Sequence, residues 1–136
     1  MKNVYCLAAG MLCTFWATIT GWNLHLQTLI IFMAIDYITG LLVAGIFKKS
    51  NKTKDGALDS RAGFKGLIRK GMMLVIVFVA YHMDKVIDSS IIMNCCIFAF
   101  IANETISIIE NAGLMGIPIP SVITKAIEIL KERSEE

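Results

Sequence analysis

The residues best equipped for chemistry in this chain sit where charge is expensive. Asp36 lies deep in an apolar run from Val4 to Phe47, and Glu104 lies in a later run beside Asn103. A charged side chain at mid-bilayer costs about 2.5–3.5 kcal/mol on insertion scales. It must therefore be protonated, be paired, or face other helices or water. Gly40 and Ala44 follow Asp36 at i+4 and i+8 and share its helix face. Small residues in such a stripe let helices approach closely. Asn103, Ser107 and Glu110 recur at i, i+4 and i+7, with Glu104 and Asn111 in the adjacent row. That pattern is a polar stripe on an apolar helix. Two kinds of chemistry suit the set. The groups can line a polar seam or water path, even one in which Asp36 and Glu104 carry protons. Alternatively, Asp36 pairs with Arg69, Lys70 or a polar group of the Glu104 helix, and the stripe is helix–helix glue that locks the fold.

Other reactive residues form no recognisable set. His25 and His82 are far apart in sequence and have no neighbouring ligands, so no metal site is expected. No Ser-His-Asp or Cys-His motif is present. Cys6, Cys13, Cys95 and Cys96 all lie in apolar stretches without a Cys-x-x-Cys pair, as small buried hydrophobes do. The segment Asp59-Ser60-Arg61-Ala62-Gly63-Phe64-Lys65-Gly66 is glycine-rich and basic, but it lacks the Gly-Lys-Ser/Thr of a phosphate-binding loop. Neither an enzyme nor a cofactor is expected. A net charge of +2 gives no case for nucleic acid.

The elements that must hold these residues follow from charge partition. Of 136 residues, 56% are apolar and 18% charged, and mean hydropathy is +0.66. No Lys, Arg, Asp or Glu occurs between Asn3 and Ile35. A span needs roughly 20 apolar residues, about half of the Val4–Phe47 run. Gly21, Trp22 and Asn23 read as an interfacial turn that divides it. Lys2 precedes an apolar run without a convincing cleavage site, so the run reads as a retained span rather than a leader. The chain is predicted to be an all-α integral membrane protein, a single domain over residues 1–136. Spans are expected at about 4–22, 25–47, 67–87 and 91–109, or three if the first does not cross. The third span needs its flanking basic side chains to snorkel. Gly113, Gly116, Pro118 and Pro120 stop the fourth helix, and Ser121 opens an amphipathic helix over 121–133. That helix would lie on the membrane or on a partner helix.

Basic residues set the orientation. Lys48, Lys49, Lys52, Lys54, Arg61, Lys65, Arg69 and Lys70 cluster in or beside the loop 48–66. With four spans and both termini in the cytoplasm, only Lys85 of the 13 Lys and Arg lies outside. Lys48, Lys49, Arg61, Lys65, Arg69 and Lys70 are predicted to set topology and contact anionic lipid headgroups, or else to be plain solvated loop residues.

Three stretches together resemble the toxin-secretion and phage-lysis holin family. They are Asp36-Tyr37-Ile38-Thr39-Gly40, the basic run from Ser60 to Lys70, and Asn103-Glu104-Thr105-Ile106-Ser107-Ile108-Ile109-Glu110-Asn111 continuing through Gly113 and Gly116 to Pro120. An amphipathic helix follows, and the resemblance covers about residues 30–133. It implies a protein that oligomerises in the bacterial cytoplasmic membrane and opens lesions, through which an endolysin or toxin leaves, with an antiholin as a further partner. The residues expected to serve assembly or line the lesion are Asp36, Gly40, Ala44, Asn103, Glu104, Ser107 and Glu110. Two other functions fit the composition. A small ion-coupled or multidrug transporter also has four spans and membrane carboxylates, though it should carry an acid in an early span and little tail. An accessory membrane subunit would recruit partners through the 121–133 helix and leave permeability unchanged.

Overall fold

A computed structural model describes Gly10 and residues 23–135. Among the described residues four α-helices follow one another: α1 Leu24–Leu42, α2 Ser60–Val86, α3 Ile91–Leu114 and α4 Ser121–Glu135. No strand occurs among the described residues. α1 runs on through a π-helical turn, Val43–Phe47, and ends at Lys48, whose φ of 50° reverses the chain. Counting that turn, the α1 segment and α3 are each 24 residues long, roughly 36 Å at 1.5 Å per residue.

Local chemistry fixes each end. The Asn23 side chain accepts from the His25 N–H at the start of α1, and Asp59 accepts from the Arg61 N–H at the start of α2. α3 ends in a Schellman turn: the Ile117 N–H donates to the Ala112 carbonyl and the Gly116 N–H to that of Gly113. Gly116 takes φ +87°, a conformation that favours glycine. Gly56 makes the sharp bend in the loop between α1 and α2. A Cβ there would come within 2.3 Å of the Lys48 carbonyl oxygen.

The first three helices pack as a bundle centred on α3, which meets α1 most extensively and α2 next, while α1 and α2 barely touch. Spacing explains which faces turn inward. Leu26, Leu29, Met33 and Asp36 recur every three or four residues on α1. Val77 and Asp84 on α2, and Ile97, Glu104 and Asn111 on α3, are buried positions seven apart. Leu26, Leu29, Met33, Val77 and Ile97 form an apolar layer, with Leu29 and Ile97 fully buried. α4 packs on none of the other helices extensively.

Among the described residues two helices are long and apolar enough to cross a membrane, Leu24–Phe47 and Ile91–Leu114, with mean hydropathy of 2.2 and 1.7. Only 28% and 11% of their most apolar stretches are buried. A soluble protein would cover such surface, whereas a bilayer does so without further protein.

Several expected boundaries shift. The segment 60–66, predicted as loop, is the first part of α2, because the Asp59 cap starts the helix seven residues before Leu67 and Gly63 and Gly66 are tolerated within it. The irregular loop therefore covers residues 48–59, and Arg61 and Lys65 are helical. α3 continues past Ile109 to Leu114, since its polar stripe packs inside the bundle and the chain turns only at Gly116. α4 begins at Ser121, and the carbonyl of Pro120 before it accepts from the Ile123 and Thr124 N–H groups. The expected first span, 4–22, lies outside the described residues apart from Gly10.

Candidate functional site

One side chain from each bundle helix meets at mid-length. Lys70 Nζ on α2 donates to Asp36 Oδ2 on α1 at 2.8 Å and to Glu104 Oε2 on α3. Both carboxylates are buried, and the Lys70 side chain nearly so. Asn111 extends the network: its Nδ2 donates to Asp36 Oδ1 at 3.2 Å and to Thr39 Oγ1 at 2.9 Å. The Thr39 hydroxyl in turn donates to the Asp36 carbonyl. Among the described residues no buried side-chain N or O atom is left without a partner. Two carboxylates on one ammonium carry a formal charge of −1, and in low dielectric such a set persists only when fully hydrogen-bonded.

These groups use positions that apolar residues would otherwise fill. Asp36 continues the Leu29–Met33 face, Lys70 lies seven residues before Val77, and Glu104 lies seven after Ile97. The apolar layer therefore ends at the triad.

On the other side of the triad, toward the loop 48–59, the helices open into a cleft of about 590 Å³. Its floor includes Asp36, Lys70 and Glu104. Gly40, Ala44, Asn103, Ser107 and Glu110 all line it. Every residue expected to serve assembly or a lesion is thus gathered at one place. Their exposure differs: Ala44 is buried, Ser107 and Glu110 are half-buried, and Asn103 is exposed. A Cβ on Gly40 would meet Asn111 Nδ2 at 3.8 Å, an ordinary contact, so Gly40 admits Asn111 without being indispensable to it. Of the basic residues, Arg61, Lys65 and Arg69 line the cleft from α2, whereas Lys48 and Lys49 are exposed outside it.

The opposite end of the bundle carries a site that sequence reasoning missed. Asp84, 3% exposed, accepts the Ile92 N–H at 3.1 Å and the Met93 N–H at 2.8 Å. A carboxylate there satisfies two free donors at the positive end of α3. Asn23 Nδ2 donates to Asn94 Oδ1 at 3.1 Å and ties α1 to the same end of α3. The signal was an acid shortly before a helix start, but at a distance that only the turn between α2 and α3 closes. His25 meets Phe98 in a tilted contact and His82 meets Phe78 edge to face, so the two histidines serve separate aromatic contacts. Cys95 and Cys96 are free thiols on α3.

Comparison with known proteins agrees with this architecture. The model of the bacteriophage holin family matches residues 13–132. An uncharacterized protein of Clostridium perfringens strain 13 is 33% identical over 96% of this chain and 95% of its own length. One from Halalkalibacterium halodurans is 37% identical over 81% of this chain and 80% of its own. A protein of Bacillus phage phi105 named "Probable holin" is 30% identical over 82% of this chain and 78% of its own. No solved structure matches. Apolar helices left largely uncovered, a three-way ion cluster between them and a family match over nearly the whole chain agree: this membrane protein belongs to the bacteriophage holin family.

Proposed function

We propose that the chain acts as a holin, assembling in a bacterial cytoplasmic membrane into lesions that let an endolysin or a toxin out of the cytoplasm. The observation that carries this reading is the family match over residues 13–132. The topology we assign has both termini and the loop 48–59 in the cytoplasm and four spans, with residues 4–22 as the first. α2 is the weakest of these on composition. Its 27 residues, about 40 Å, are long enough to cross, and the exposed Val75, Ile76, Phe78 and Val79 suit lipid.

The triad suggests how such a protein stays harmless before it opens. Asp36 and Glu104 are satisfied within one chain, so an isolated subunit has its costly carboxylates already paired. Assembly into a lesion would exchange the Lys70 contacts for water or for a neighbour's groups, and Asn103, Ser107 and Glu110 would then face the opening. Gly40 and Ala44, both small, line the cleft between α1 and α3.

The test replaces Asp36 and Glu104 together with alanine and follows oligomer size and the onset of lysis with a co-expressed muralytic enzyme. A changed onset and a changed oligomer distribution are expected. Unchanged timing and size would remove the triad from the mechanism.

A further inference from the structure

We propose that the cleft beside the triad is a binding site for the phosphate headgroup of an anionic phospholipid from the cytoplasmic leaflet. This rests on the orientation proposed above, with the loop 48–59 on the cytoplasmic side. Arg61, Lys65 and Arg69 stand at i, i+4 and i+8 of α2 and line one wall, a basic ladder roughly 12 Å long. Lys52 joins them from the loop, and Asn103 offers a hydrogen-bond donor from α3 across the gap. Among the described residues none of these four basic side chains has an ion pair.

Each carboxylate in the cleft already has a partner. Asp36 and Glu104 hold Lys70, Asp59 caps α2, and Glu110 is also engaged. Arg61 and Lys65 carry the argument furthest, because they lie nearest the loop 48–59 and have no ion pair among the described residues. A phosphate entering the cleft from the cytoplasmic face meets them first, and the Arg61 guanidinium fork suits its oxygens. Arg69, farther in, lies beside the triad, whose two carboxylates and one ammonium leave an excess negative charge. The acyl chains then have the exposed Leu67, Ile68 and Met72 of α2 to lie against.

Full-length protein is purified in detergent, equilibrated with equal parts phosphatidylglycerol and phosphatidylcholine, and examined by native mass spectrometry for retained lipid. Wild type should retain phosphatidylglycerol in preference. Arg61→Gln/Lys65→Gln/Arg69→Gln should weaken retention by about 100-fold, on the scale of three cations near an anionic surface. Lys54→Gln/Lys85→Gln/Lys125→Gln, which removes the same charge outside the cleft, should leave retention unchanged. The wild-type preference needs no variant to fold. Equal retention of both lipids by wild type would overturn the site, as would equal loss in the control variant. Displacement of the lipid by inorganic phosphate alone would overturn the lipid assignment in favour of a soluble phosphate. Phosphatidylglycerol held by a chain that never lyses cells would support the site and remove only the holin reading.

Discussion

At the scale of single residues, the account turns on one ammonium between two carboxylates. Removing one member of a buried ion cluster strands its partners, at a cost of roughly 3–5 kcal/mol, whereas replacing the whole cluster with neutral groups of similar size is often close to neutral. Lys70→Met should therefore lower the thermal midpoint and accumulation of the protein sharply. Asp36→Asn/Lys70→Met/Glu104→Gln should recover most of that loss. Thermal unfolding of the three proteins in detergent checks this, and a Lys70→Met variant as stable as wild type would contradict it. The sequence made Asp36 and Glu104 conspicuous, because acids inside apolar runs need partners. Of the two readings open for Asp36, a water path or a paired carboxylate, the second named Arg69, Lys70 or α3 as the partner. Choosing between Arg69 and Lys70 requires the rotation of α2, since neighbours on a helix point about 100° apart. The seven-residue step from Lys70 to Val77 and on to Asp84 encodes that rotation. It becomes readable once Val77 and Asp84 are known to face inward.

At the scale of elements, Asp84 shows how one helix sets the start of another. The carboxylate on α2 accepts two backbone N–H groups of α3, and Ser90, at the formal cap position, makes no side-chain cap of its own. Asp84→Ala should destabilise the bundle by about 1–2 kcal/mol, in the range of a lost helix cap with its dipole contribution. Amide hydrogen exchange at Ile92 and Met93 should accelerate with it, and unchanged exchange there would show that the cap is not Asp84. Existence and order of the helices were legible from charge-free runs and their polar breaks. Boundaries were less so, for two reasons. Arg61 and Lys65 resemble loop residues by composition yet are helical after the Asp59 cap. The polar stripe resembles a span end by polarity, yet Glu104 and Asn111 pair with Lys70 and Asp36, where their polarity is satisfied. The Asp84 cap was hidden because its partners lie eight and nine residues away.

At the scale of the whole molecule, two apolar helices leave most of their surface uncovered, and the polar groups that remain inside are fully paired. Such a chain needs lipid around it and keeps its charges internal until something exchanges their partners. The asymmetry of the bundle follows the same logic. An apolar layer of Leu29, Met33, Val77 and Ile97 closes one half, and a cleft with a basic wall opens the other, from the loop 48–59 down to the triad. Among the described residues the apolar layer leaves no continuous polar path through the bundle, so permeability should arise only when subunits rearrange together. Expressing the chain alone in a bacterium while recording membrane potential tests that claim most directly. The account predicts a normal potential during a delay in which protein accumulates, then an abrupt collapse with growth arrest. A potential that stays normal at high protein levels would contradict it.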